Sequence, residues 1–248
     1  MLKIRIIPIL TFNGFGLVKT KKFANPRMVG NPVQAARVFN SRGVDELVFV
    51  DIFATKQKRN LNLRLIKDVI KECYMPVSIG GGISSLDDIN DLLKIGADKV
   101  IIKTRAIDDQ SFIQEAVRFF GSQCISIAVD AVRRDDNYEV FNDLNDNLPI
   151  DTFLSEMQNC DVGELVLTSV DNDGMMNGFD IDLINKVSEM VKTPIVAVGG
   201  GGNPQHFEEL FSKTNIEAAG AASIFYFTQF TPLDIKLEVR KTGRPVRI

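Results

Sequence analysis

Met75-Pro-Val-Ser-Ile-Gly-Gly-Gly82 and Thr193-Pro-Ile-Val-Ala-Val-Gly-Gly-Gly201 are two versions of one phrase: a proline, a short apolar run and three glycines. A second pair has the same relation, Glu46-Leu-Val-Phe-Val-Asp51 against Glu164-Leu-Val-Leu-Thr168. Both echoes lie 118 residues downstream, from Glu46 to Glu164 and from Pro76 to Pro194. Self-similarity at a fixed offset marks a fold assembled from repeated units. Here the unit is about half of a 248-residue chain.

Working outward, short β-branched segments recur along the chain with amphipathic segments between them. Strands are expected at Ile4–Leu10, Glu46–Asp51, Pro76–Ile79, Lys99–Ile102, Ile125–Val129, Glu164–Thr168, Ile195–Val198 and Gly220–Ile224. Helices are expected at Pro32–Ser41, Leu61–Glu72, Leu86–Ile95, Gln110–Phe119, Ile181–Val191 and Pro204–Phe211. Strands alternating with helices imply parallel pairing with both faces covered. Eight such units in about 250 residues make an α/β TIM barrel. The expectation is a single (β/α)8 barrel over residues 1–248, built from two half-barrels; a doubly wound open sheet would not require the internal match.

Composition narrows the function classes. The chain is 45% hydrophobic and 25% charged, ordinary for a globular domain. No apolar run approaches the roughly 18 residues needed to span a bilayer, and Met1-Leu2-Lys3-Ile4-Arg5 is too charged for a leader. A net charge of −3 gives no general reason to expect nucleic acid or an anionic membrane, so any anion site is local. Cys73, Cys124 and Cys160 are odd in number and lack metal-ligand spacing; they read as free thiols in a reducing cytosol. The single histidine, His206, excludes a histidine metal cluster and argues against a Ser-His-Asp triad. Neither metal nor cofactor is expected.

Active sites of such barrels form at the C-terminal ends of the strands. The third strand there runs into Gly80-Gly-Gly-Ile-Ser84 and the seventh into Gly199-Gly-Gly-Gly-Asn203. Glycine lets backbone N–H groups approach an anion, and a following helix start adds partial positive charge. Two phosphate sites are therefore expected across the mouth. One involves Gly82, Lys103 and Thr104, with Lys103 adding a positive charge; the other involves Asp173, Gly174, Gly200, Gly201, Ala222 and Ser223. They would suit a small molecule phosphorylated at both ends. The alternative is that the glycines only make tight βα turns.

Four carboxylates fall near the mouth: Asp51, Asp130, Asp171 and Asp173. Asp130 ends the fifth expected strand, where an acid or base could reach a central ligand. The acidic spacing of Asp171-Asn-Asp-Gly-Met-Met-Asn-Gly178 is partly that of a calcium loop but lacks the closing glutamate. His206 lies on a helix and is given no role.

Taken together, these residues resemble the cyclase subunit of imidazole glycerol phosphate synthase. The matching segments are Arg5-Ile-Ile-Pro-Ile-Leu10, Asp45-Glu-Leu-Val-Phe-Val-Asp51, Gly80-Gly-Gly-Ile83, Gly96-Ala-Asp-Lys-Val100, Phe120-Gly-Ser-Gln-Cys124, Thr168-Ser-Val-Asp-Asn-Asp-Gly174 and Ala221-Ala-Ser-Ile-Phe225. The resemblance implies a class I glutaminase docked on the N-terminal barrel face and ammonia crossing the barrel. At the other mouth that ammonia meets a bis-phosphorylated ribonucleotide. It also implies two catalytic aspartates, at the ends of the first and fifth strands.

Asp130 matches the second of these. The first is missing, because the sequence reads Ile9-Leu-Thr-Phe12 and Thr11 takes the aspartate's place. Further departures cluster at the same mouth: Lys103 for an asparagine, Asn172 and Met175 in the sixth loop, Val198 for a serine, and Tyr226 for a histidine. Lys19 sits where the family's first loop carries a lysine. The opposite face keeps the family's charged gate as Arg5, Glu46, Lys99 and Glu164, and Asp98 stands where the family faces its glutaminase.

An intact gate with an altered mouth reads as a paralogue that pairs with a glutaminase and conducts ammonia without making the histidine precursor. Relatives of this kind are associated with conversion of an acetamido to an acetamidino sugar for surface polysaccharide, so a sugar amidotransferase is a possible third partner. Two other readings stay open: a genuine histidine-pathway cyclase using Asp130 alone, and a non-catalytic scaffold that activates its partner. The related isomerase family shares the half-barrel repeat but has no ammonia gate.

Overall fold

The computed structural model describes residues 2–142 and 148–248. Among these residues the strands are β1 (Arg5–Phe12), β2 (Leu17–Lys21), β3 (Ala24–Gly30), β4 (Leu47–Asp51), β5 (Val77–Gly80), β6 (Lys99–Ile102), β7 (Ile125–Arg134), β8 (Asn137–Val140), β9 (Leu148–Pro149), β10 (Glu164–Ser169), β11 (Ile195–Val198) and β12 (Ala218–Ala221). The helices are α1 (Pro32–Ser41), α2 (Leu63–Lys71), α3 (Leu86–Lys94), α4 (Thr104–Asp108), α5 (Gln110–Phe120), α6 (Ile150–Met157), α7 (Ile181–Met190), α8 (Pro204–Lys213), α9 (Ser223–Phe227) and α10 (Pro232–Arg240). Eight strands, β1-β4-β5-β6-β7-β10-β11-β12, pair in parallel and close when β12 returns to β1.

The alternation along each strand separates two cores. Ile6 and Leu10 of β1, Ile125, Ile127 and Val129 of β7, and their equivalents pack outward against the helices. Ile7, Ile9, Val48, Ile101, Val166, Val196 and Ala218 pack inward on the axis. Helices start where a side chain can accept from the first free N–H groups: Asn31, Ser85, Asp109, Asp180, Asn203 and Thr231 each cap one.

The internal repeat is present in the backbone. Gly81 and Gly199 both have φ of +98°; a Cβ at Gly81 would lie 2.1 Å from the Asp51 carbonyl oxygen, and one at Gly199 would lie 2.6 Å from that of Ser169. Asp51 and Ser169 are separated by the same offset as the glycines. Each half therefore carries a crossing that only glycine permits.

One expectation needs correction, and one loop has structure of its own. The last strand ends at Ala221, and Ile224 belongs to α9 rather than to a strand. The apolar Ile224-Phe225 pair looks like strand continuation, yet Ile224 is buried as part of a helical turn. The first βα loop, where no strand was expected, forms the β2–β3 hairpin. Its turn places Lys22 and Phe23 at φ of +50° and +59°, a mirror-image turn usually built from Asn or Gly.

On the barrel's N-terminal side, Lys236 of α10 is buried. Its Nζ donates to Asp45 Oδ1 at 2.9 Å and to the Gly43 carbonyl at 3.1 Å, while Asp45 Oδ2 accepts from the Ile6 N–H at 2.9 Å. This ties α10, β1 and the approach to β4 together. No helix among the described residues is long and apolar enough to cross a membrane.

Candidate functional site

The barrel has two chemically different ends. At the N-terminal floor, four side chains from β1, β4, β6 and β10 or their edges close a ring. Arg5 bonds Glu46 at 2.8 Å and Glu164 at 2.7 Å; Lys99 bonds Glu46 at 3.1 Å and Glu164 at 3.2 Å. Burial lowers the pKa of Arg5, but the charges of Glu164 and Glu46 outweigh it and the net shift is upward. Each charge has two partners of opposite sign, the arrangement that makes such burial tolerable. Asp98, beside Lys99, is exposed on this floor and accepts from the Val77 N–H.

Above the ring the inward residues form layers contributed by alternate strands. First come Ile7, Ser78, Ser126 and Val196, then Val48, Ile101, Val166 and Gly220, then Ile9, Gly80, Ala128 and Val198. All are uncharged. A mouth cavity of about 390 Å³ descends to Val48, Ile101, Val166 and Gly220, so one layer separates it from the charged ring.

At the mouth, Thr11, Lys19, Lys103, Asp130 and Asp173 line this cavity with the glycine loops. Thr11 is engaged: its hydroxyl donates to the Val18 carbonyl in the hairpin. Asp130 is engaged as well, because Lys103 Nζ lies 2.6 Å from its Oδ2. Lys103 also sits 5.9 Å and 5.3 Å from the ring centres of Phe23 and Phe141, which pack edge to face. The positive charge assigned from sequence to the first phosphate loop is thus directed at Asp130.

Asp51 lines the mouth but is held by Arg59 through two 3.0 Å bonds and by the Phe53 N–H. Asp171 lies outside the cavity and accepts from the Arg133 N–H. Thr20 donates to Asp173 at 2.9 Å and the Lys22 N–H donates to its carbonyl, pinning the hairpin across the mouth. His206 packs under the last glycine loop, where its Nδ1 accepts from the Gly202 N–H. The buried Tyr226 hydroxyl has no hydrogen-bond partner among the described residues, and its ring lies 5.8 Å from Lys19 Nζ.

The two phosphate candidates are geometrically alike. Gly82 and Gly200 both have positive φ. The residues before α4 and α9, Lys103 and Ala222, share backbone angles (φ −117°, ψ −75° and φ −135°, ψ −66°), and neither provides a side-chain cap. Thr104 and Ser223 therefore follow uncapped turns at related positions in the two halves. Gly174 is packed against the hairpin, since a Cβ there would meet the Thr20 carbonyl oxygen at 2.1 Å. Gly200 and Gly201 line the cavity beside it.

Lys19 is fully buried, with Nζ donating to the Ile9 carbonyl at 3.2 Å. Burial pushes its pKa from 10.5 down to about 8 against the pull of the Asp173 charge; burial likewise raises Asp173. Because the folded value lies below the unfolded one, the charged Lys19 destabilises the fold in full below about pH 8. That penalty fades as the pH rises from about 8 to about 10.5. We expect the native chain to gain stability relative to Lys19→Met across this window, and phosphate binding at the mouth to weaken above about pH 8. Denaturant melts at stepped pH and calorimetric phosphate titrations check both; parallel curves for the two chains would mean that Lys19 titrates in its ordinary range.

Phe23, Thr20, Arg59 and Phe141 were not legible as site residues. The basic run Lys56-Gln-Lys-Arg59 was a visible sign of a cation in that loop; the aromatic pair left no sign, since its members come from different loops. The chain is similar in sequence to known proteins. A family described as "Histidine biosynthesis protein" matches residues 5–231. The imidazole glycerol phosphate synthase subunit HisF of Staphylococcus saprophyticus is 40% identical over 259 residues, with 100% of both chains covered. That of Streptococcus mutans is 39% identical over 251 residues at the same coverage. The Staphylococcus carnosus subunit is 40% identical over 252 residues, covering 100% of this chain and 99% of the relative. With its closed half-barrel repeat and full-length similarity to HisF subunits, the chain belongs to the histidine biosynthesis protein family.

Proposed function

We propose that this chain is a divergent ammonia-conducting subunit that docks a glutaminase on its N-terminal face, and that its ammonia serves amidation of a sugar for surface polysaccharide. A sugar amidotransferase at the mouth would be the third partner and the cytosol the compartment. The observation that carries the reading is the contrast between the ends. The floor retains a closed ring of four charges. At the mouth, Thr11 stands in place of a carboxylate and Asp130 is paired with Lys103. The two glycine loops would hold a phosphorylated small molecule, with Thr104 and Ser223 as hydroxyl donors.

A genuine cyclase making imidazole glycerol phosphate is the second reading, favoured by full-length identity near 40% to HisF subunits. Under it, Asp130 would act alone after Lys103 moves aside. A scaffold that only activates its partner is the third.

Co-purification with a glutaminase encoded beside this chain tests the leading reading. Glutamine hydrolysis should rise on complex formation. Lys99→Ala leaves Glu46 and Glu164 with Arg5 alone, and should uncouple glutamine use from product formation in the full assembly. A folded chain that neither binds nor stimulates the glutaminase removes the support for conduction.

A further inference from the structure

Ser126 is a polar residue in the wrong place for a core. It is 1% exposed, and its hydroxyl has no hydrogen-bond partner among the described residues. Its neighbours along β7, Ile125 and Ile127, face the helices, so Ser126 faces the axis. In register it lies beside Glu164 of the gate on one side and Ile101 of the apolar layer on the other. A second hydroxyl, Ser78, enters the same layer and is 3% exposed, in register with Lys99 and Val48. This layer is the one between the charged ring and the bottom of the mouth cavity.

A hydroxyl buried without a partner is less stable there than an apolar group of similar size. Its presence directly above the gate calls for a guest small enough for the barrel axis and able to hydrogen-bond. We propose that Ser126 Oγ holds a single molecule of neutral ammonia between the gate and the apolar segment of the barrel, an inference that rests on the conduction reading above. The chemistry discriminates by charge. Ammonia has a lone pair that can accept the serine O–H. Ammonium has no lone pair, and the Val48, Ile101 and Val166 side chains ahead of it offer nothing to a cation. Ser126 thereby marks the step at which a hydrated nitrogen becomes a dry, neutral one.

The test compares the native full chain with Ser126→Val and Ser126→Ala. Melting temperatures are measured in ammonium chloride and in sodium chloride of equal strength, at an alkaline pH where neutral ammonia is abundant. A crystal structure of the native chain in ammonium accompanies them. The expected result is an ordered, solvent-sized peak within hydrogen-bond distance of Ser126 Oγ, with an ammonium-dependent rise in melting temperature that both variants lose. A dry hydroxyl, with Ser126→Val melting higher than the native chain in both salts, overturns the site. A peak with the same melting temperature in both salts identifies water and overturns the ammonia assignment. The conduction reading fails separately, through absence of glutaminase stimulation, so a stimulating chain with a dry Ser126 sinks only this site.

Discussion

Supplied with ammonia and the bis-phosphorylated ribonucleotide, the purified chain should turn over at least about 10²–10⁴-fold more slowly than a HisF subunit with both aspartates, the range typical for loss of a general acid–base group. The cause lies at both catalytic positions. The Thr11 hydroxyl cannot trade a proton near neutrality as a carboxylate can, and it already donates to Val18. Asp130 accepts an ammonium at 2.6 Å, so a substrate proton must compete with Lys103 for the same oxygen. Two aromatic rings packed over Lys103 hold it in place. Thr11→Asp alone should stay near the floor of detection, and Lys103→Asn alone should do little, since each leaves one position defective. The double variant should gain measurable turnover while remaining below a HisF subunit, because Asn172, Met175 and Val198 still differ. Steady-state product formation by the four chains decides. Robust turnover by the unmodified chain would overturn the leading reading in favour of the histidine pathway.

Breaking the Lys236–Asp45 pair should destabilise the fold by about 3–5 kcal/mol, the usual cost of stranding a buried charge. The two side chains are 3% and 7% exposed, so neither can turn to water when its partner is removed. Asp45→Ala has the further effect of orphaning the Ile6 N–H. For a barrel of this size the loss corresponds to roughly a 10 °C drop in melting temperature. The double variant Lys236→Met with Asp45→Asn should recover most of it, since Asn can still accept from Ile6 and no charge is left unpaired. Denaturant titrations of the three chains measure this. A loss below about 1 kcal/mol for Asp45→Ala would place the pair in the class of solvated surface bridges.

Much of this molecule was legible before folding. The first seven barrel strands were placed with their starts within one residue, and α1 at its observed ends, because strand alternation, glycine punctuation and N-capping side chains are local signals. The last strand was misplaced because Ala218-Ala-Gly-Ala221 carries few β-branched residues while Ile224-Phe225 carries a strand's composition inside a helix. The β2–β3 hairpin was missed because its turn uses Lys22 and Phe23 at positive φ, without the Asn-Gly pair that announces such turns.

The sequence by itself determined the half-barrel repeat, the two glycine loops and the four gate charges. Each of these sits at a fixed place relative to its own strand, so knowing the strand is enough to place the residue. Only the tertiary structure decided which side chains meet. Lys103 reaches Asp130 because β6 and β7 pair in one register, and a slip of a single residue would turn either side chain to the other face. Lys19 enters the mouth because the hairpin folds across it and is pinned to Asp173. Ser126 faces the axis beneath an apolar layer because eight strands closed. Such contacts are properties of register and closure, which no window of sequence contains.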